Sequence, residues 1–183
     1  MKEVELCQLC RKQDSHGQQK LYELYANRLY AICIRYTGDR EVAKDILHDG
    51  FIKILCSFDK FSWRGEGSLR AWMDRIMVNT ALQYLRDKKR VGQEVEVEQI
   101  SDAVDEDNSS ELDTIPQEVL FQFIKDLPDG YRTVFNLYVL EKKSHKEIGE
   151  ILGINERSSA SQLFRAKQNL AERVRAWMNE HGR

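Results

Sequence analysis

Apolar residues recur along most of this chain at intervals of three and four, the spacing that places them on one face of an α-helix. Both prolines, Pro116 and Pro128, lie beyond residue 115, so no proline interrupts a helix earlier in the chain. The pattern predicts an all-α protein. The predicted helices cover residues 4–13, 15–36, 39–58 and 68–89, then 117–126 and 129–140, and finally a helical segment from 144 to near the C-terminus. The predicted apolar stripe of the second helix is Leu21, Leu24, Tyr25, Leu29, Ile32 and Cys33.

The segment from Ser144 to Lys167 is typical of a helix-turn-helix, in which two short helices cross at a sharp angle. Ser144 and Glu147 have the spacing of a capping box, and Gly153 stands where the first helix should end. Asn155 can cap the second helix. That helix carries side chains of the kinds that bind phosphates and base edges: Ser158, Ser161, Gln162, Arg165 and Lys167. An ordinary helical hairpin is the alternative, but the residue types favour duplex DNA.

The net charge of -2 conceals an uneven distribution along the chain. Residues 1–90 carry 17 Lys and Arg against 12 Asp and Glu, and residues 119–183 carry 11 against 8. Residues 91–118 carry 10 acidic residues and no basic one. We therefore predict two small helical domains, a bundle at 1–90 and a four-helix domain with the helix-turn-helix at 116–183, joined by a flexible acidic linker at 91–115. Two basic modules suggest polyanion contact at both ends.

Several functional classes find no support in the sequence. No apolar run is long enough to span a membrane and no secretory signal is present, so we expect a cytoplasmic protein. We expect no catalytic residue, cofactor or metal, since no phosphate-binding glycine loop, nucleophile with a base, or metal cage is recognisable. Cys7 and Cys10 form a C-x-x-C pair that could seed a zinc or redox site, but structural thiols are favoured. Cys33 and Cys56 are predicted to be buried.

The segment from Phe58 to Trp72 combines aromatic rings, cations and glycines. Rings beside cations can stack on and hold an unpaired base, and this chemistry is predicted for Phe58, Phe61, Trp63, Lys60, Arg64 and Arg70. The alternative is a purely structural role, in which Trp72 belongs to the core and Trp63 only closes the loop. The next helix offers a polar side with Arg75, Asn79, Gln83 and Arg86 and ends in a cationic cluster suited to phosphates.

Three successive segments resemble conserved helices of the extracytoplasmic-function branch of the sigma-70 family of bacterial transcription initiation factors. They are VAKDILHDGFIKIL, SLRAWMDRIMVNTALQYLRDKKR and LPDGYRTVFNLYVLEKKSHKEIGEILGINERSSASQLFRAKQNL. The resemblance covers roughly residues 18–90 and 116–178, and three motifs in the right order are more specific than any one. It implies that the first domain binds core RNA polymerase and melts the minus-ten promoter element, while the second reads the minus-thirty-five element.

The resemblance also implies roles for individual residues. Contact with the polymerase is implied for Asp45, His48, Asp49 and Lys53, for which a plain solvated helix face is the rival interpretation. Contact with the minus-ten element is implied for Trp63, Arg64, Arg70, Asn79, Arg86, Lys88 and Lys89. Entry into the minus-thirty-five major groove is implied for Ser158, Ser161, Gln162 and Arg165, with Arg157 and Lys167 on phosphates. The acidic linker would lie near the RNA exit path and mimic nucleic acid there.

Three positions depart from the family pattern. Arg157 and Ala160 stand where the family usually has a glycine and, three residues later, a lysine, and Gln83 stands where an acid is commoner. The first two departures suggest that one phosphate contact has moved from the second position to the first, and Gln83 puts in doubt a particular minus-ten preference but not the class. Three alternatives stay open at this point: a stand-alone helix-turn-helix regulator, a protein-binding helical adaptor, and a thiol switch through Cys7 and Cys10. An anti-sigma factor is a further candidate partner, and a monomer within the polymerase complex is the most natural state.

Overall fold

The computed structural model describes residues 2–91 and 115–181. The chain divides into two compact units, Met1–Gly92 and Gln93–Arg183. All regular structure within the described residues is helical, as the spacing of apolar residues predicted. Most of the predicted acidic linker, residues 92–114, lies outside the described residues. None of the described helices is long and apolar enough to cross a membrane.

The first unit contains four α-helices: α1, Glu3–Arg11; α2, Ser15–Thr37; α3, Arg40–Cys56; and α4, Ser68–Val91. A single 3₁₀ turn, Phe58–Lys60, follows α3. The carboxylate of Asp39 accepts hydrogen bonds from the backbone amides of Glu41 and Val42 and so caps α3. Gly38 ends α2 with a φ of 69°, a left-handed conformation that favours glycine.

The core of the first unit lies where α2, α3 and α4 meet. Its fully buried side chains include Leu21, Leu29, Cys33, Tyr36, Ile54, Met73 and Met77. Helices α3 and α4 cross closely at Gly50, where an added Cβ would lie 2.5 Å from the side chain of Met77. Two predictions of burial are wrong, because Leu24 is 55% exposed on α2 and Cys56 is exposed at the end of α3. Both lie on helix faces that no described neighbour covers.

The second unit contains α5, Gln117–Lys125; α6, Asp129–Phe135; α7, His145–Leu152; and α8, Glu156–His181. A π-helical turn, Asn136–Leu140, continues directly from α6. The core brings α6, α7 and the first half of α8 together through Val134, Leu137, Ile148, Leu163, Ala166 and Leu170. This core presents the outer side of α8 to solvent.

Candidate nucleic-acid interface

Helix α7 begins and ends where the sequence predicted. The backbone amide of Ser144 donates to the carboxylate of Glu147 at 2.8 Å, and the amide of Glu147 donates to the Ser144 hydroxyl at 3.3 Å, which completes the capping box. Gly153 ends the helix with a φ of 68°. The side chain of Asn155 then accepts a hydrogen bond from the Ser158 amide at 2.7 Å and so caps α8. The predicted helix-turn-helix is confirmed.

The angle between α7 and α8 is fixed by contacts that leave little freedom. Gly149 is buried, and a Cβ added there would lie 2.7 Å from the backbone oxygen of Ile154. The imidazole of His145 lies 3.0 Å from the hydroxyl of Ser159, which is fully buried, and it stacks on the ring of Tyr138. Helix α8 is therefore presented to solvent in one orientation, as groove reading requires.

The predicted DNA-binding residues of α8 differ in their exposure. Arg157 and Lys167 are exposed, whereas Ser158, Ser161, Gln162 and Arg165 are partly buried. The side-chain oxygen of Gln162 lies close to Gly130 of α6, at 3.1 Å from the position of an added Cβ. Gln162 therefore lies at the edge of the interface and not at its centre.

The outer face of α8 also includes Phe164 and Gln168, which the sequence did not single out. Counting in helical steps from Arg157 gives Ser161, Phe164 and Gln168, and these lie opposite the buried Leu163 and Ala166 side. The signal was the helical step itself, because Phe164 is apolar and was not grouped with the polar residues. Phe164 is partly buried, and a ring on this face suits contact with a thymine methyl group.

The loop between α3 and α4 presents one aromatic ring, not three. Phe58 and Phe61 are buried, and with Trp72 they form a cluster of rings whose centroids are 4.9 to 6.0 Å apart. The prediction that all three loop rings stack on a base is therefore wrong for Phe58 and Phe61, which anchor the loop. Trp63 is 43% exposed and is available to a base.

Cations follow Trp63 closely in sequence, on the loop and at the start of α4. Arg64 and Arg70 are both exposed near the start of α4. The hydroxyl of Ser68 donates to the Gly65 oxygen at 2.7 Å and accepts from the Arg64 amide at 3.2 Å. Ser68 is the first residue of α4, and its side chain bonds to the loop.

The exposed polar residues of α4 include Arg70, Arg75, Asn79, Arg86, Lys88 and Lys89. Of these, Arg75, Asn79 and Arg86 lie on one side of the helix, whereas Arg70 and Lys88 lie on another side, near its two ends. The guanidinium of Arg86 donates to the Gln83 side chain at 2.9 Å, and Gln83 donates to Asp87 at 2.8 Å. Gln83 thus orients Arg86, a contact that a carboxylate at this position would strengthen. Exposed cations of this kind suit contact with a phosphate backbone.

The residues implied for polymerase binding share the outer face of α3. Asp45, His48, Asp49 and Lys53 are all exposed, and the Lys53 ammonium lies 3.4 Å from the Thr80 hydroxyl of α4. Sequence reasoning missed two apolar neighbours of this face. Ile52 on α3 is half exposed. Tyr22 on α2 is also half exposed, and its ring contacts that of Phe51 on α3.

Comparison with known proteins agrees with the division of the chain into two units. Residues 21–91 match the family Sigma-70 region 2, and residues 117–170 match Sigma-70, region 4. The chain belongs to the sigma-70 family. It is similar to the ECF RNA polymerase sigma factor SigM of Bacillus subtilis, with 27% identity over 154 residues, 82% of this chain and 91% of SigM. It is 29% identical to SigW of the same organism over 180 residues, 90% of this chain and 92% of SigW.

A solved structure of Bartonella quintana RpoE in complex with the anti-sigma factor NepR is also similar, with a TM-score of 0.49, 20% identity and coverage of 86% of this chain and 96% of that one. The relatives by sequence place this sigma factor in the extracytoplasmic-function branch. It is a transcription initiation factor, and its two sigma-70 domains indicate binding to core RNA polymerase and promoter DNA.

The sigma factor family is a non-enzymatic family of transcription factors. Within residues 2–91 and 115–181, no group of three or more His, Cys, Asp or Glu side chains is placed to hold a metal ion. Region 2 covers α2 to α4, and region 4 covers α5 to the middle of α8. Helix α1 therefore lies ahead of the matched region.

Proposed function

We propose that the two units of this sigma factor divide promoter recognition between them. Residues 1–90 bind core RNA polymerase and open the minus-ten element, and residues 116–183 read the minus-thirty-five element. Residues 91–115 join them as an acidic linker. The single observation that supports this division most strongly is the exposed ring of Trp63, flanked by exposed cations, on one unit, and a rigid helix-turn-helix on the other.

The proposed minus-thirty-five contacts lie on the outer face of α8. Arg157 and Lys167 are exposed at the two ends of the face, and we propose that they bind phosphates. Ser161 and Arg165 lie between them and are proposed to reach base edges, with Ser158 and Gln162 at the margin. The packing of α8 on α6 and α7 holds these groups in a fixed register.

The proposed minus-ten contacts combine stacking with charge. Extruding a base costs a few kcal/mol, and stacking on an aromatic ring returns about 1–3 kcal/mol per base. Trp63 supplies that ring, while Arg64 and Arg70 supply positive charge beside it. We propose that Asn79, Arg86, Lys88 and Lys89 follow the strand along α4. Strand separation then depends on binding energy, without nucleotide hydrolysis.

The proposed polymerase contact is the outer face of α3. Asp45, His48, Asp49 and Lys53 provide its charges, and Ile52 adds the apolar area that a stable interface needs at its centre. Because the polymerase and the chromosome share the bacterial cytoplasm, we propose that the protein acts there.

Run-off transcription with purified core enzyme tests the proposal. The wild-type chain should support transcription from a cognate promoter, and Trp63→Ala should slow promoter opening about tenfold or more, since stacking contributes about 1–3 kcal/mol. Trp63→Phe keeps a ring and is the matched control. Closed-complex binding should be unchanged by either variant. If no promoter responds to the wild-type chain, the proposal is wrong.

A gel shift separates this proposal from a stand-alone regulator. A stand-alone regulator binds its duplex site without polymerase, whereas this chain should bind strongly only when core enzyme is present. A pull-down of the tagged chain from its native cells tests the remaining partners. Polymerase subunits should be recovered with it, and an anti-sigma factor would be recovered under conditions in which the factor is held inactive.

A further inference from the structure

Helix α1 contacts both ends of the segment at residues 61–67, which carries Trp63 and is here called the minus-ten loop. The Arg11 guanidinium donates a hydrogen bond to the backbone oxygen of Phe61 at 2.5 Å. The backbone amide of Gly67 donates to the carboxylate of Glu3 at 2.9 Å. These two bonds enclose the segment that carries Trp63, and they join residues that are 50 and 64 positions apart.

Helix α1 is itself fixed to the bundle and can therefore act as a support. Leu6, Cys7 and Cys10 are buried against the rest of the unit. At Gly17 of α2 an added Cβ would lie 2.5 Å from the Cβ of Leu9, so α1 and α2 pack without room for a side chain. A hydrogen bond from α1 to the loop therefore links the loop to the packed core of the domain.

The loop needs these two hydrogen bonds because its own backbone is conformationally free at two glycines. Gly65 has a φ of 118° and Gly67 a φ of 84°, conformations that few other residues adopt, and no heavy atom lies within 4 Å of an added Cβ at either position. Nearby, Trp63 and Ser62 line a cavity of about 300 Å³ whose other wall is α1, formed by Val4, Cys7, Gln8 and Arg11. Trp63 and α1 thus face the same space.

We propose that Arg11 and Glu3 are positioning residues for the minus-ten loop, and that α1 holds Trp63 in the orientation that takes up an unpaired base. This inference rests on the proposed function of the loop. Without the two bonds, the loop loses more conformational freedom when a base binds, so base capture becomes less favourable. The step affected is promoter opening and not the formation of the closed complex.

The test uses holoenzyme assembled from core polymerase and the full chain. Arg11→Gln should slow open-complex formation about tenfold, the effect of losing one charged hydrogen bond. Arg11→Lys, which keeps a charged donor, should recover most of the rate. Lys12→Gln is the matched control, because it removes the same charge from the next residue, which is exposed. Glu3→Ala removes the other bond and should resemble Arg11→Gln.

A double-mutant cycle distinguishes positioning from general stability. If Arg11 acts through Trp63, then Arg11→Gln should cost little more in the Trp63→Ala background. A thermal melt of each variant should lie close to that of the wild type, and the salt dependence of closed-complex binding should not change. A direct phosphate contact would instead reduce that slope by about one.

The outcomes separate this inference from the proposed function. Slow opening by Trp63→Ala together with wild-type opening by Arg11→Gln and Glu3→Ala would overturn the inference alone. Additive effects in the cycle would overturn it as well, because they would show that Arg11 acts elsewhere. Wild-type opening by Trp63→Ala would overturn the role of the loop, and the inference with it.

Discussion

Arg132 is the residue whose substitution should most damage the second unit. It is 3% exposed, and its guanidinium donates hydrogen bonds to the backbone oxygens of Lys125 and Leu127 at 2.8 and 2.6 Å. It also pairs with the carboxylate of Asp129. The two carbonyl groups belong to the end of α5 and the turn that follows, where helical backbone oxygens lack partners within the helix. Arg132→Met keeps the stem of the side chain and removes the donors.

The expected loss follows from the two backbone bonds. Each bond from a charged donor contributes about 1.5 kcal/mol or more, so the free energy of unfolding should fall by about 3 kcal/mol. For a domain of this size, each kcal/mol lowers the melting temperature by about 4–8 °C, which gives a fall of about 12–24 °C. The pair with Asp129 adds little, because the carboxylate is 47% exposed.

Hydrogen exchange with mass spectrometry measures the effect unit by unit. Peptides from α5 to α7 should lose protection in Arg132→Met, while peptides from α2 to α4 should keep it. Asp129→Asn is the control and should change the free energy of unfolding by less than about 1 kcal/mol. A melting temperature lowered by only a few degrees, or an equal loss of protection in both units, would refute the reasoning.

Three further predictions concern thiols, a helix crossing and a cap. Burial raises the pKa of the Cys7 and Cys10 thiols to about 11 and that of the Cys33 thiol to about 12. Because Cys56 is the exposed cysteine, a thiol reagent at pH 8 should rapidly label Cys56 alone. Rapid labelling of Cys7 would contradict this. Gly149→Ala should cost about 1–3 kcal/mol in urea denaturation, since backbone must move, and Gly50→Ala less, since only a flexible methionine end must move. Hydrogen bonds from Ser144 and Lys143 lower the pKa of Glu147 from its ordinary value of 4.5. Protection of the first amides of α7 from hydrogen exchange should therefore persist above pH 4.5 and be lost as the pH falls through the lowered pKa. Protection that does not change with pH would contradict this.

Local chemistry allowed the helices to be predicted closely. Caps such as Asp39 and Ser144, and the left-handed glycines Gly38 and Gly153, depend on residues within a few positions of each other. The helix-turn-helix has the same property, because its capping box, its terminal glycine and its second cap lie within one short segment. Sequence therefore contains nearly all the information that these features require.

Burial was predicted less well, because it depends on distant partners. Phe58 and Phe61 looked like exposed loop aromatics, but α4 supplies Trp72 as a packing partner and draws both rings into the core. Leu24 fits the apolar stripe of α2, yet no described element covers it. The role of α1 was likewise invisible, since the bond from Arg11 joins two segments that periodicity treats separately.

The charge distribution favours a factor that needs polymerase over a regulator that binds alone. The first 90 residues have a net charge of +5 and residues 119–183 one of +3, and 10 acidic residues lie between. The faces that we propose for DNA contact are small, and several cations, such as Arg28 of the first unit and Arg132 of the second, are engaged in ion pairs within their own units. The interposed acids repel the same duplex that both faces must reach. Two weak DNA contacts give strong binding only when the distance between the two units matches the spacing of the minus-ten and minus-thirty-five elements. The second contact is then made at a high effective concentration. Core polymerase, which we propose binds the outer face of α3, is the partner that can hold that separation.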